Sequence, residues 1–237
     1  MSEHTFQRYE AELMTLKEKV MSMGGLVEKA IKRSMNSLVK QDVKRAEKVI
    51  QRDSAINDLE MEIDGMTRNL LALRQPAAND LRFVITTIKI VSDLERMGDL
   101  AENIAKKKLA TEEYPLPYIA SLQLLSDQVL EQLSLAIQAF GKGDTELAMT
   151  CIACDRKVNE QYQAQQHEYL THMIEDPRQI TAALFAGNIA KNLERISDHA
   201  MNVAEMVVYM TKGLDIRHRS YDEVVALLAQ ESDTSAE

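Results

Sequence analysis

One peptide occurs twice in this chain, and that constrains the fold more than any other feature. Residues 89–105 read KIVSDLERMGDLAENIA and residues 188–204 read NIAKNLERISDHAMNVA. At this offset Ile90, Leu94, Glu95, Arg96, Asp99, Ala101, Asn103 and Ala105 recur as Ile189, Leu193, Glu194, Arg195, Asp198, Ala200, Asn202 and Ala204. A second match joins residues 40–58 to residues 142–160, with Lys40, Asp42, Ala46, Ile50, Asp53 and Asn57 recurring as Lys142, Asp144, Ala148, Ile152, Asp155 and Asn159. A repeat of about a hundred residues is the size of a small domain rather than a solenoid unit. The chain is a tandem duplication.

Composition gives the class. Among 237 residues there are 8 Gly, 4 Pro, 13 Met and no Trp. Leu, Ala, Glu, Gln and Lys are abundant, and these are helix formers. The expectation is an all-α chain: two tandem three-helix bundles, six long helices and a short C-terminal helix. The boundaries read as residues 1–110 for the first repeat, 118–213 for the second and 214–237 for a tail. The proline-bearing stretch TEEYPLP, residues 111–117, separates the repeats. No apolar run is long enough to cross a membrane, and the N-terminus lacks a secretory signal. A net charge of −9 argues against nucleic-acid binding.

The patterning places a first helix over about 6–39, with a kink expected at Gly24-Gly25. A second follows from an Asp42 N-cap to about Arg74. A third runs to about Ala110, capped by Asn79 or Asp80. The second repeat predicts helices over about 118–140, from an Asp144 cap to about Ile174, and from Arg178 to Lys212 with Gly213 as C-cap. A short piece near Tyr221–Ala229 and an unstructured end, QESDTSAE, complete the chain. On the third helix Thr87, Ile90, Leu94, Met97, Ala101 and Ile104 form one apolar seam. Leu81, Val84, Ile85, Ile88 and Val91 form a second line, which Glu95, Asp99 and Glu102 continue.

Four-residue spacing puts Glu95, Asp99 and Asn103 on one side of a helix, and Glu194, Asp198 and Asn202 likewise. Carboxylates one turn apart repel. A metal, an arginine or a cationic partner would offset that. Paired carboxylates on facing helices hold metals in helical bundles, and oxygen donors suit hard cations. An acidic stripe screened by Arg96, Arg195 or lysines is the plain alternative. Asp53 with Asn57, and Asp155 with Asn159, form a second duplicated pair that interhelical hydrogen bonding would equally explain. Cys151 and Cys154 make one CxxC, too few ligands for a structural zinc site, and read as small buried residues. His4, His167, His172, His199 and His218 lie in neither HExxH nor Glu-x-x-His. Phosphate loops, dinucleotide fingerprints and nucleophile elbows are missing too. With no catalytic residues and no required cofactor, the chain reads as a binding or regulatory protein rather than an enzyme.

The ordered set MSMGGLVE (21–28), RQPAANDLR (74–82), LERMGD (94–99), LERISD (193–198) and GLDIRH (213–218) resembles the PhoU family over nearly the whole chain. The resemblance implies two similar three-helix bundles side by side. It also implies a cytoplasmic negative regulator, recruited to the inner face of the membrane by its partners. Those partners are the ATPase subunit of the phosphate ABC transporter and the sensor histidine kinase of the phosphate regulon. Some members bind iron or other divalent cations through Asp/Glu-x-x-x-Asp motifs. By that resemblance Glu95, Asp99, Asn103, Glu194, Asp198 and Asn202 are metal ligands, with Asp53 and Asp155 secondary. The metal would be iron, manganese, magnesium or zinc. Asn57 and Asn159, where some members carry Asp, and Ser197, where the first repeat has Gly98, depart from the pattern. A homodimer is the expected assembly, and a metal-storage or carboxylate-type metalloenzyme is the competing function.

Overall fold

The computed structural model of the chain describes residues 3–110 and 118–234, and all regular structure among them is helical. The helices are α1 (Glu3–Val39), α2 (Val43–Arg52), α3 (Ser54–Arg74), α4 (Ala78–Ala110), α5 (Ile119–Lys142), α6 (Thr145–Glu175), α7 (Ile180–Lys212) and α8 (Tyr221–Thr234). In the first repeat α1 and the α2–α3 pair pack on α4, and in the second α5 and α6 pack on α7. The repeats lie side by side, with α4 along α7 and α1 along α5. One buried apolar core runs through both. Among the described residues no helix is long and apolar enough to cross a membrane. The segment 111–117, read as the boundary between repeats, lies outside the described residues, as does the side chain of His4.

The expected seam of α4 is fully in the core: Thr87, Ile90, Leu94, Met97, Ala101 and Ile104 are all buried. The second apolar line holds only in part. Val84 and Val91 are buried, but Leu81 and Ile88 are exposed. The Asp42 carboxylate accepts the Arg45 N–H at 3.0 Å, and Asp144 accepts those of Glu146 and Leu147 at 2.9 and 3.1 Å. Both are N-caps as expected. Gly213 closes α7 in the left-handed region, its N–H donating to Tyr209 O at 2.8 Å.

Several expectations are corrected. Gly24-Gly25 does not interrupt α1, which is helical from Glu3 to Val39. Gly24 is there for packing, since a Cβ on it would stand 2.6 Å from Ile137 Cδ1 of α5. The single middle helix of the first repeat divides at Asp53, where the ladder tightens to an Asp53 N–H to Ile50 O bond of 3.4 Å. The corresponding α6 is unbroken. Neither Asn79 nor Asp80 caps α4: Asp80 accepts the Tyr9 hydroxyl at 3.0 Å, and Asn79 accepts from the Arg82 guanidinium. A short 3-10 turn, Pro177–Gln179, precedes α7. The tail helix continues to Thr234, into the stretch expected to be unstructured.

Candidate functional site

The two carboxylate stripes lie on α4 and α7, the helices at the centre of the molecule. In the first repeat Gly98 lets α3 come close: a Cβ there would meet Ile56 Cδ1 at 2.9 Å and Asp53 Oδ1 at 3.5 Å. Asp53 is thereby brought beside the acids of α4. Burial raises its carboxyl above the usual range, and Glu102 and Asp99 raise it further, while Asn57 Nδ2, donating at 3.1 Å, opposes. Burial also raises Glu95, and Asp99 adds to it. The Arg96 guanidinium lies 3.5 Å from both Glu95 Oε2 and Asp99 Oδ2. It is 61% exposed, so water screens most of its effect. Glu60 of α3 joins this cluster, raised by burial first and then by Asp64, with Arg96 opposing. Sequence reasoning missed it because its counterpart in the second repeat is Tyr162, so duplication gave no signal.

The second stripe is arranged differently. Lys191 Nζ lies 2.6 Å from Glu194 Oε2 and 5.5 Å from the centre of the Tyr162 ring. Arg195, the counterpart of Arg96, makes no salt bridge among the described residues. Asp198 is pushed up to about 6, by burial first and then by Glu194 and Asp155. Asp155 is held by neutral donors: Asn159 Nδ2 at 2.7 Å and the Ser197 hydroxyl at 3.1 Å. The same hydroxyl contacts Gln132 Oε1, and Gln132 Nε2 donates to Cys151 O at 3.4 Å. Cys151 is buried, its thiol pushed up by that burial, and it donates to Gln132 O. The two cysteines are free thiols, one buried and one partly buried.

Asn103 is exposed, and Asn202 Nδ2 donates across the repeat boundary to Asp93 Oδ1 at 3.3 Å. His199 Nδ1 lies 2.8 Å from the same oxygen. The tail folds over this region, and Asn202, Glu205, Arg217 and His218 line a shared groove with Asp155 and Asn159. The RQPAANDLR segment is anchored on α1, where Arg74 pairs with Glu12 through bonds of 3.0 and 2.7 Å.

Oxygen donors dominate both stripes, and Asn57 Oδ1 is buried without a hydrogen-bond partner beside Asp53. That donor chemistry suits a hard cation. Among the described residues, however, no three Asp, Glu, His or Cys side chains are gathered as a metal cage would gather them. The arrangement supplies pairs of under-compensated carboxylates.

Comparison with known proteins agrees with this architecture. The PhoU domain model matches twice, over residues 20–107 and 122–207. The phosphate-specific transport system accessory protein PhoU homolog of Pseudomonas aeruginosa is 38% identical over 221 residues, covering 92% of this chain and 91% of that protein. The phosphate-specific transport system accessory protein PhoU of Escherichia coli (strain K12) is 34% identical, covering 97% and 95%. The crystal structure of PhoU from Pseudomonas aeruginosa superposes with a TM-score of 0.84 at 37% identity, covering 87% of this chain and all of that one. With a doubled domain, full-length relatives and a matching fold, this chain belongs to the PhoU family.

Proposed function

We propose that this chain is a cytoplasmic accessory protein of phosphate-specific transport, an adaptor between the ATPase subunit of a phosphate ABC transporter and the sensor histidine kinase of the phosphate regulon. It represses that regulon when phosphate is plentiful. The reading is regulatory rather than catalytic. Its relatives carry that accessory role in their names over nearly their full lengths. The observation that carries the mechanism is the pair of half-buried carboxylate stripes, where burial first and the like charge of neighbouring carboxylates second raise Asp198 and Glu95. A basic partner surface laid on a stripe relieves that repulsion, so docking is favoured by the strain of the free protein. A partner conformation that presents the basic surface better is populated in consequence. Binding of the purified chain to the isolated ATPase subunit and to the cytoplasmic part of the kinase tests this. Affinity falls as salt rises. Absence of binding to both, or affinity that is flat in salt, contradicts it.

A second reading is favoured by the unpartnered Asn57 Oδ1. Closure of Glu95, Asp99 and Asp53 in the first repeat, and of Glu194, Asp198 and Asp155 in the second, from their ungathered positions would hold a divalent cation. Iron, manganese, magnesium and zinc are the candidates, and the ion would neutralise the stripes. Calorimetry with each metal and with the Glu95→Ala/Asp99→Ala/Glu194→Ala/Asp198→Ala variant checks it: binding that the variant leaves intact contradicts the assignment.

A further inference from the structure

The protein is acidic as a whole, yet one face of the first repeat is basic. A groove of about 380 Å³ beside α2 is lined by Arg33, Asp42, Lys44, Arg45, Lys48 and Arg52. Its one acid, Asp42, is occupied capping α2 and pairing with Arg45 at 3.4 Å. Among the described residues Arg33, Lys44, Lys48 and Arg52 have no salt-bridge partner.

Behind this groove, and sharing Arg33 and Arg52 with it, opens a cavity of about 340 Å³. Leu26, Ala30, Val49, Ile56 and Gly98 give it apolar walls, Lys29 stands with the two arginines, and Asp53 adds a carboxyl. Small-molecule sites begin at about 300 Å³ and combine such walls with a few placed polar groups.

The second repeat lacks these cations. Lys29, Arg33, Lys44, Arg45, Lys48 and Arg52 have Glu131, Leu135, Glu146, Leu147, Thr150 and Cys154 as counterparts. Ala30 and Gly98 correspond to Gln132 and Ser197, whose buried side chains contact each other. The same fold thus closes the space in one copy and keeps it open, ringed by cations, in the other.

The geometry points to a site for a nucleoside polyphosphate on the first repeat, with the phosphates in the basic groove and the base in the cavity. Arg33 and Arg52 stand at the junction, where guanidinium groups bind phosphate through paired donors. Asp53 decides against a lipid acyl chain, which would bury that carboxyl with no donor beyond Asn57 Nδ2; a base edge offers it further hydrogen-bond donors. The site is distinct from the carboxylate stripes, meeting them at Asp53 and at Gly98.

The full chain is titrated calorimetrically with ATP and GTP in the presence of EDTA, so that no metal bridges phosphate to the acids. Inorganic tripolyphosphate and phosphatidylglycerol vesicles are run beside them. At least one nucleotide binds, and Arg33→Ala/Arg52→Ala weakens it at least about tenfold and flattens its salt dependence. Ala30→Gln, which copies the second repeat, weakens it comparably and keeps the salt dependence. Ala55→Trp, at the exposed cavity rim, does the same without touching the core. Tripolyphosphate binds at least about tenfold more weakly than the nucleotide. No binding of either nucleotide overturns the proposal. So does equal binding of tripolyphosphate, an unchanged affinity in both cavity variants, or binding to the vesicles in place of nucleotides.

Discussion

Asp53 and Asp155 hold equivalent places in the two repeats, and their surroundings differ in almost every respect. Asp53 stands at a break between two helices, beside a glycine, an open cavity and the acids Glu102 and Asp99. Asp155 stands within one continuous helix, beside Ser197 and Asn159, over a space filled by Gln132. The stripes diverge as well. An exposed arginine one residue along screens the first, and a lysine one turn back pairs with the second. The two copies share the helical plan and the motif, while the residues behind the motif differ. The first copy has space and positive charge; the second fills that space with a buried polar network, which is specific only when every member has a partner.

The largest expected effect breaks that network. Gln132→Ala, which copies Ala30, leaves a cavity and strips partners from Ser197 and the Cys151 carbonyl, and costs about 2–3 kcal/mol in denaturant unfolding. The reciprocal Ala30→Gln enters open space and changes stability by less than about 1 kcal/mol. Equal costs for the two would show that the repeats are packed alike.

Next comes Asp198. Its folded pKa of about 6 lies above the usual carboxylate value, so stability is greatest with the group protonated and falls as pH rises from about 4 through 6. In EDTA, Asp198→Asn therefore stabilises the protein on the order of 1–2 kcal/mol at pH 7 and has no effect below pH 4. Thermal melting across pH reads this, and a pH-independent gain would remove the charge explanation.

The smallest effect is at the first helix corner. Gln41 has φ 52°, where its counterpart Gly143 has φ 63°. Gln41→Gly removes the left-handed strain and stabilises by about 0.5–1 kcal/mol. Gly143→Gln costs a similar amount.

Much of this was legible in the sequence. The α4 seam followed from three- and four-residue spacing, and both aspartate caps from their positions before helical runs. Other features depended on what meets what in space. Gly24 looks like a helix breaker until Ile137 of the other repeat stands against it. The break at Asp53 has neither Gly nor Pro to announce it. The asparagines share a helix side with the carboxylates by spacing, but Asp93 of the neighbouring repeat takes Asn202. Glu60 was hidden because its counterpart is Tyr162, and the basic face because the net charge of −9 averages over it.

The central claim is tested most directly by phosphate-regulated alkaline phosphatase activity in phosphate-replete cells. The strains to compare carry a deletion, the wild-type chain, Glu95→Ala/Asp99→Ala, Glu194→Ala/Asp198→Ala, or all four substitutions, each checked for folding by thermal melting. The account predicts high activity on deletion, low activity with the wild-type chain, and repression that weakens in each double variant and is lost in the quadruple one. Low activity in the deletion strain, or full repression by the folded quadruple variant, would contradict it.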